Sequence, residues 1–171
     1  GEKNAEVKLF PEKVLENLRS VQLRNDIKLS SELVKSQLGA CVLDVEMETG
    51  TGKTYVYIKT MFELNKKYGW NKFIVVVPSV AIREGVAKSF QVLQEHFMDQ
   101  YGKKARYFVY NSKKLQNIVG FADPNVLSVM IINMQAFAAS LKPDGTQKDA
   151  RTINSERDEF ESRRPIDVIA A

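Results

Sequence analysis

The strongest constraint on the fold of this chain is the alternation of short β-branched runs with amphipathic helical patterns. Four runs have the length and composition of strands: Cys41–Glu46, Phe73–Val77, Ala105–Tyr110 and Leu127–Asn133. The second and fourth runs are almost continuously apolar, as strands buried on both faces are. Strands that alternate with helices in this way are typical of a parallel sheet covered by helices on both faces. The pattern therefore predicts an α/β fold.

Two long amphipathic helices are predicted between these runs, and each is followed by a glycine. The first runs from Thr54 to Tyr68 and the second from Ile82 to Tyr101. Apolar side chains that recur every three or four residues form their predicted inner faces: Tyr57, Met61, Leu64 and Tyr68 in the first, and Ile82, Val86, Phe90, Leu93, Phe97 and Tyr101 in the second. Glycine is the commonest residue just beyond a helix end, so Gly69 and Gly102 are the predicted stops.

The remaining segments suggest how the domain is bounded. Residues 1–40 are interpreted as a helical lead-in, with Pro11 at a first helical turn. Residues 41–171 are interpreted as the main domain, with an exposed polar insertion at about 140–164. A new apolar segment begins at Pro165, so we expect the domain to be incomplete and the natural protein to be longer.

Composition excludes several classes of protein. With one Cys and one His, the 171 residues cannot form an internal disulfide framework or a structural zinc site, and a reducing, cytoplasmic compartment is expected. Apolar runs fall far short of the roughly 20 residues of a membrane span, so no membrane partner is expected. A formal charge of +4 is mild, and scattered lysine pairs indicate a solvated surface more than a nucleic-acid footprint.

The most informative stretch is the glycine-rich segment from Glu46 to Thr54, which leaves a predicted strand and opens a predicted helix. Such a turn presents successive backbone N–H groups and a positive helix end to a polyphosphate. We therefore predict that ATP phosphates are bound by Thr49, Gly50, Thr51, Gly52, Lys53 and Thr54. Lys53 is the predicted catalytic residue because its ammonium meets the β- and γ-phosphates, and the Thr54 hydroxyl is the predicted Mg²⁺ ligand.

The unusual features of this stretch are the residue at position 47 and the two glutamates beside it. The full phosphate-loop pattern has glycine at position 47, where this chain has Met47; the remaining pattern points to helicase-like enzymes rather than to kinases or small GTPases. The alternative, a chance glycine-rich turn, would require Gly-Lys-Thr to fall by accident in a strand–loop–helix frame. Glu46 and Glu48 would repel a triphosphate, so they are expected to point outward or towards basic neighbours.

Four blocks of sequence resemble one known family. These blocks are residues 47–57 (METGTGKTYVY), 76–86 (VVPSVAIREGV), 131–137 (IINMQAF) and 163–170 (RRPIDVIA). Together they resemble the restriction (Res) subunit of type III restriction–modification enzymes. The resemblance implies a superfamily 2 helicase-like ATPase, of which residues 41–171 are an incomplete first RecA-like domain.

The same resemblance implies partners and further parts. It implies double-stranded DNA as substrate, a methyltransferase (Mod) subunit that recognises the site, and a second RecA-like domain and a nuclease domain in the same chain. An Asp-Glu box that polarises the attacking water is expected after Ala171. With only half of a catalytic site, the fragment alone is expected to be inactive. The activity implied for the full protein is that of an ATP-dependent, site-specific deoxyribonuclease.

By their position in the family motifs, Ser79, Arg83 and Asn133 are implied to touch the DNA backbone. Ser79 follows a predicted strand at the sheet edge where open α/β folds collect their ligands. The structural alternatives are a helix cap at Ser79 and a polar strand end at Asn133.

Three other residues have mainly structural interpretations: Cys41 as a buried thiol, His96 as a surface imidazole and Trp70 as a packing anchor. Two alternative functions stay open at this point. One is a superfamily 2 helicase for DNA or RNA without a nuclease, and the other is a nucleotide- or DNA-binding module that does not hydrolyse ATP. A nuclease motif in the full gene separates the first alternative from the restriction enzyme, and an ATPase assay tests the second.

Overall fold

The structure, a computed structural model, describes residues 4–36, 39–111, 116–121 and 123–140. The chain divides into two compact units. The N-terminal unit is Glu6–Thr51, and the sheet unit contains the described residues from Gly52 onward together with Asn4 and Ala5.

The N-terminal unit contains one helix and a two-stranded hairpin. Helix α1 is Pro11–Arg24, strand β1 is Val34–Ser36 and strand β2 is Gly39–Val42. Pro11 stands at the start of α1, where its missing N–H costs no helical hydrogen bond. The guanidinium of Arg19 donates to the carbonyls of Ser30 and Ser31 at 2.8 and 2.9 Å, which holds the segment before the hairpin against α1.

The sheet unit is a three-stranded parallel sheet with helices. Its elements are α2 (Lys53–Tyr68), β3 (Lys72–Val77), α3 (Val80–Tyr101), β4 (Arg106–Val109), α4 (Gln116–Phe121), β5 (Ser128–Asn133) and α5 (Met134–Ser140). The strand order is β3-β5-β4, and both pairings are parallel. Val77 at the end of β3 lies opposite Asn133 at the end of β5. Within the described residues, β3 and β4 are therefore the two edges of this sheet.

The core of the sheet unit lies on both faces of β5. Val129 and Ile131 face one cluster, to which α2 and α3 contribute Ile58, Met61, Phe62, Val86, Phe90 and Phe97. Met130 and Ile132 face the other cluster, to which α4 and α5 contribute Ile118, Phe121 and Ala136. Because both faces of β5 are covered, its sequence is apolar without alternation. The α/β class and the parallel sheet predicted from the sequence are confirmed.

Three of the four predicted strands belong to this sheet, and the first does not. Cys41 and Val42 lie in β2, which pairs antiparallel with β1, while residues 43–46 are not in a strand. The prediction of Cys41–Glu46 as a parallel strand was therefore wrong. Residues 34–36 lie close to β2 in the sequence, so pairing with them closes only a short loop.

Both long helices are confirmed, but the inner face predicted for α2 was partly wrong. Gly69 and Gly102 end α2 and α3 with φ of 71° and 64°, the left-handed conformation that glycine adopts without strain. Tyr68, predicted to face inward, is 60% exposed, and Ile82, predicted on the inner face of α3, is 49% exposed, so both predictions were wrong. The buried residues of α2 are Ile58, Met61, Phe62 and Asn65.

Asn65 is buried because neighbouring backbone and side chains satisfy its polar atoms. Its Nδ2 donates to the carbonyl of Trp70 at 2.9 Å and to the side chain of Asn71. Lys103 donates to its Oδ1 at 3.1 Å. The turn from α2 into β3 is thus held by an asparagine that occupies a core position.

Other predictions have mixed outcomes. Cys41 is exposed, so its prediction as a buried thiol was wrong, because the hairpin leaves this side chain on the surface. His96 is exposed, as predicted. The predicted lead-in of residues 1–40 contains α1 and also β1 and the start of β2. The domain boundary at residue 40 stays a prediction, and the polar insertion at about 140–164, apart from Ser140, lies outside the described residues.

Candidate nucleotide-binding site

The glycine-rich segment has the backbone conformation that a phosphate loop requires. Gly50 and Gly52 have φ of 83° and 89°, a region that residues with a Cβ atom resist. A Cβ atom at either position would meet no heavy atom within 4 Å. Backbone conformation, and not crowding, therefore requires these two glycines, and the space beside them is open.

The first half of the loop closes the N-terminal unit with a tight turn. The Thr51 hydroxyl donates to the carbonyl of Glu48 at 2.6 Å, and the Thr51 N–H approaches the same carbonyl at 3.4 Å. The Thr51 hydroxyl and the Thr51 N–H are therefore both engaged by the Glu48 carbonyl within the turn. Glu46 and Glu48 are both exposed, in agreement with the prediction that they point outward.

The second half of the loop opens α2. Gly52 precedes the helix, and its carbonyl accepts the first helical bond from Val56 N at 3.0 Å. No side chain caps the helix at this position. The exposed Lys53 and the half-buried Thr54 are its first two residues. A helix of 16 residues with an uncapped first turn offers N–H donors and a positive dipole end to an anion.

This set of donors fits a magnesium-bound triphosphate. Backbone N–H groups and an ammonium suit phosphate oxygens, and a threonine hydroxyl suits Mg²⁺, which prefers oxygen ligands. A connection of three residues, 69–71, joins α2 to β3, from which we infer that the two elements run antiparallel. The first turn of α2 is therefore expected at the carboxyl ends of β3 and β5, where ligands of parallel α/β sheets bind.

The first turn of α2 is also anchored to α3 by aromatic side chains. The Tyr55 ring stacks on Phe97 with centroids 5.4 Å apart, and its hydroxyl lies 3.0 Å from Nε2 of His96. Phe97 in turn stacks on Phe62 at 4.7 Å. These contacts fix the helix that carries Lys53 and Thr54.

The three residues implied to bind DNA are placed as follows. The Ser79 hydroxyl accepts from Ile82 N at 3.3 Å, so Ser79 caps α3, which is its structural alternative. The Arg83 guanidinium lies 3.2 Å from Oε1 of Glu84. Asn133 donates to Oε1 of Gln135 at 3.1 Å. Val77, the last residue of β3, lies opposite Asn133, the last residue of β5, so Ser79 and Asn133 both lie at the carboxyl ends of the parallel strands.

Sequence reasoning assigned Tyr57 only to a helix face and missed its relation to the loop. Tyr57 lies three residues after Thr54. Burial raises the pKa of its phenol and the neighbouring Thr54 hydroxyl opposes that rise, although the two oxygens form no hydrogen bond of ordinary geometry. The i,i+3 spacing was the signal that could have indicated this contact.

Together, the loop and the sheet define the class of this protein: it has a P-loop, helicase-like α/β fold. The sequence model of the family described as "Type III restriction enzyme, res subunit" matches residues 14–166. The chain therefore belongs to the family of type III restriction enzyme Res subunits. The part of the chain that the structure describes contains no helix long and apolar enough to cross a membrane.

Three curated relatives carry the same description. The Res subunit of the type III restriction–modification enzyme EcoP15I from Escherichia coli is 42% identical over 113 residues. The EcoPI Res subunit of Escherichia phage P1 is 43% identical over 115 residues. Each match covers 65% of this chain and 11% of the relative. The StyLTI Res subunit of Salmonella typhimurium is 53% identical over 62 residues, which are 34% of this chain and 6% of the relative.

Proposed function

We propose that this chain is the ATP-binding part of the ATP-dependent DNA translocase and endonuclease subunit of a type III restriction enzyme. The observation that carries the proposal is the open loop of Gly50 and Gly52, which leads into an uncapped helix bearing Lys53 and Thr54. Membership of the Res family and the names of the curated relatives support the same activity.

Each loop residue has a role in this proposal. The backbone from Thr49 to Gly52 wraps the phosphates, and the two glycines keep side chains out of their path. The Lys53 ammonium neutralises the β- and γ-phosphates, and the dipole of α2 adds positive potential at the same place. The Thr54 hydroxyl would hold Mg²⁺, which would supply positive charge against the negative charge of the phosphates.

The remaining roles belong to parts outside this chain. A base that activates water, a second RecA-like domain that closes on the nucleotide, and a nuclease domain complete the proposed enzyme. Double-stranded DNA is the proposed substrate, and a Mod subunit is the proposed partner for recognition of the site. The matches cover only 11% of the length of EcoP15I and EcoPI Res, which leaves room for such parts.

Replacement of Lys53 tests the phosphate-loop assignment. In the full-length protein, Lys53→Ala should lower ATP hydrolysis by roughly 10²–10³-fold, the loss typical of removing one preorganised charge-stabilising donor. Circular dichroism should be unchanged, because Lys53 is exposed. Lys59→Ala, which removes an exposed lysine in the second turn of α2, is the matched control and should keep full activity. Unaltered hydrolysis in Lys53→Ala would contradict the proposal.

The half-site is tested on the fragment itself. A coupled ATPase assay on the 171 residues should detect essentially no turnover. Robust DNA-stimulated hydrolysis by the fragment would refute the view that the catalytic base lies elsewhere.

Replacement of Arg83 tests the proposed coupling to DNA. Arg83→Ala should remove the stimulation of ATPase by DNA and spare the basal rate, because Arg83 lies in the first turn of α3, outside the phosphate loop. Lys88→Ala, at an exposed position further along α3, should keep the stimulation. Full stimulation in Arg83→Ala would count against a DNA contact at this residue.

A further inference from the structure

The hydroxyl of Tyr57 is the buried polar group that the assigned roles leave unexplained. Its oxygen is shielded from solvent and makes no hydrogen bond of ordinary geometry within the described residues. The Tyr57 ring packs against the cluster of apolar residues between α2, α3 and the sheet. A shielded hydroxyl without a full partner is destabilising, so the presence of this hydroxyl calls for a physical reason.

The position of Tyr57 places this hydroxyl beside Thr54. Side chains three residues apart share one face of a helix, and each is tilted towards the N-terminal turn. The Tyr57 ring therefore leans back over the turn that carries Thr54. The two side chains interact closely enough for Thr54 to lower the pKa of the phenol against the larger, raising effect of burial.

We propose that the Tyr57 hydroxyl accepts the proton of the Thr54 hydroxyl and thereby turns a lone pair of Thr54 towards the bound Mg²⁺. This inference rests on the proposed function. A threonine hydroxyl has one proton and two lone pairs, and it binds a metal through a lone pair. Its proton must then point elsewhere, and the oxygen of Tyr57 is an acceptor on the same helix face. Tyr57 is therefore a positioning residue that acts through Thr54.

The neighbouring tyrosine supplies a matched control. Tyr55 lies on the same helix, next to Thr54, but its hydroxyl is 3.0 Å from Nε2 of His96 and so faces α3. Tyr55→Phe and Tyr57→Phe each remove one oxygen atom and keep the ring. The two substitutions differ in whether the lost oxygen lies beside the proposed magnesium ligand.

The experiment measures the affinity of the full-length protein for a fluorescent, non-hydrolysable ATP analogue with and without Mg²⁺. In Tyr57→Phe, the tightening that Mg²⁺ causes should fall by about tenfold, the size of effect expected when the partner of a metal ligand is lost. Affinity without Mg²⁺ should stay at the wild-type value, and the melting temperature should stay the same or rise, because the lost hydroxyl has no full partner. Tyr55→Phe should keep the wild-type response to Mg²⁺.

A second pair of variants separates this inference from the proposed function. Thr54→Ala should lose the response to Mg²⁺, and adding Tyr57→Phe to it should cause no further loss. If Thr54→Ala loses the response but Tyr57→Phe keeps it, the inference about Tyr57 is overturned and the proposed function stands. If Thr54→Ala keeps the response, the proposed magnesium ligand itself is wrong. A melting temperature that falls in Tyr57→Phe without a Mg²⁺-specific loss would assign Tyr57 a purely structural role and would also overturn the inference.

Discussion

Replacement of Gly52 by alanine tests the physical basis of the phosphate loop. Gly52 has φ of 89°, and a Cβ atom there would meet no heavy atom within 4 Å. Gly52→Ala therefore adds no clash, and its whole effect is the cost of holding a residue with a Cβ atom in the left-handed region. That cost is about 1–2 kcal/mol per residue.

The structure indicates where this cost should be observed. Gly52 is exposed, so the loop of the free protein can relax away from the left-handed conformation with little effect on the core. Binding of a nucleotide must then restore the conformation. At 1.4 kcal/mol per tenfold change, the expected loss of ATP affinity is about 5- to 30-fold.

Titration of the full-length protein with ATP, together with urea unfolding, measures both effects. Gly102→Ala is the first control, because Gly102 also has positive φ and open space but ends α3. It should lose stability and keep its ATP affinity. Gly85→Ala is the second control, because Gly85 lies inside α3 without positive φ, and alanine there should stabilise by about 0.5–1 kcal/mol.

The combined loss in stability and binding for Gly52→Ala should thus be about 1–2 kcal/mol, with most of it in binding. If Gly52→Ala bound ATP as tightly as the wild type and unfolded at the same urea concentration, the left-handed conformation at this position would have no functional weight. An equal loss of ATP affinity in Gly102→Ala would show that any destabilisation of the domain weakens binding, which would also refute the reasoning.

Two further predictions concern the packing of α2 on α3. Phe97 is 1% exposed and stacks on Phe62, so Phe97→Ala should lower the free energy of unfolding by about 3–5 kcal/mol in urea denaturation, whereas Met98→Ala, at a 38% exposed neighbour, should cost less than about 1 kcal/mol. Burial, followed by the hydrogen bond to Glu63, raises the pKa of Tyr101 from 10.0 to about 12. The unfolded chain therefore loses this proton first, so the stability that Tyr101 contributes is complete below pH 10 and is lost as the pH rises to about 12. Urea denaturation over this pH range should show a flatter pH dependence of the unfolding free energy in Tyr101→Phe than in the wild type. Equal slopes in the two proteins would contradict the assignment.

The parts of the fold that the sequence predicted correctly are those in which local chemistry decides the structure. Gly69 and Gly102 end their helices, since a left-handed residue is needed there whatever the tertiary context. The run Leu127–Asn133 contains β5, because an unbroken apolar run of that length suits a strand covered on both faces. The conformations of Gly50 and Gly52 follow from the same local requirement.

The wrong predictions concern contacts between distant segments. The run Cys41–Glu46 has a strand-like composition, but composition does not specify its partner, and residues 39–42 pair with a local segment. The inner face of α2 was misplaced by about one residue because Asn65 looks polar in the sequence. Only the folded turn supplies the carbonyl of Trp70 and the side chain of Asn71 that make its burial possible.

In the candidate site, too, the residues fixed by a local motif were found from the sequence and a side-chain contact was not. Lys53 and Thr54 could be assigned from the motif, since their roles follow from their place at a helix start. The relation of Tyr57 to Thr54 could not, because a tyrosine at this spacing is more often a simple core residue. Only the folded structure shows that its hydroxyl is buried without a full hydrogen-bond partner among the described residues.

The arrangement of β3 has a practical consequence for handling this protein. Within the described residues, β5 is the one strand that pairs with β3, and on the other side the Asn4 side chain bonds the backbone of Lys72. The sequence of β3, Lys-Phe-Ile-Val-Val-Val, contains no proline and one charge. A strand of this kind can add a foreign strand along its outer side beyond Lys72. Preparations that leave this side uncovered should therefore tend to oligomerise through the backbone as concentration increases. Ile74 is 39% exposed, and Ile74→Lys should reduce this association.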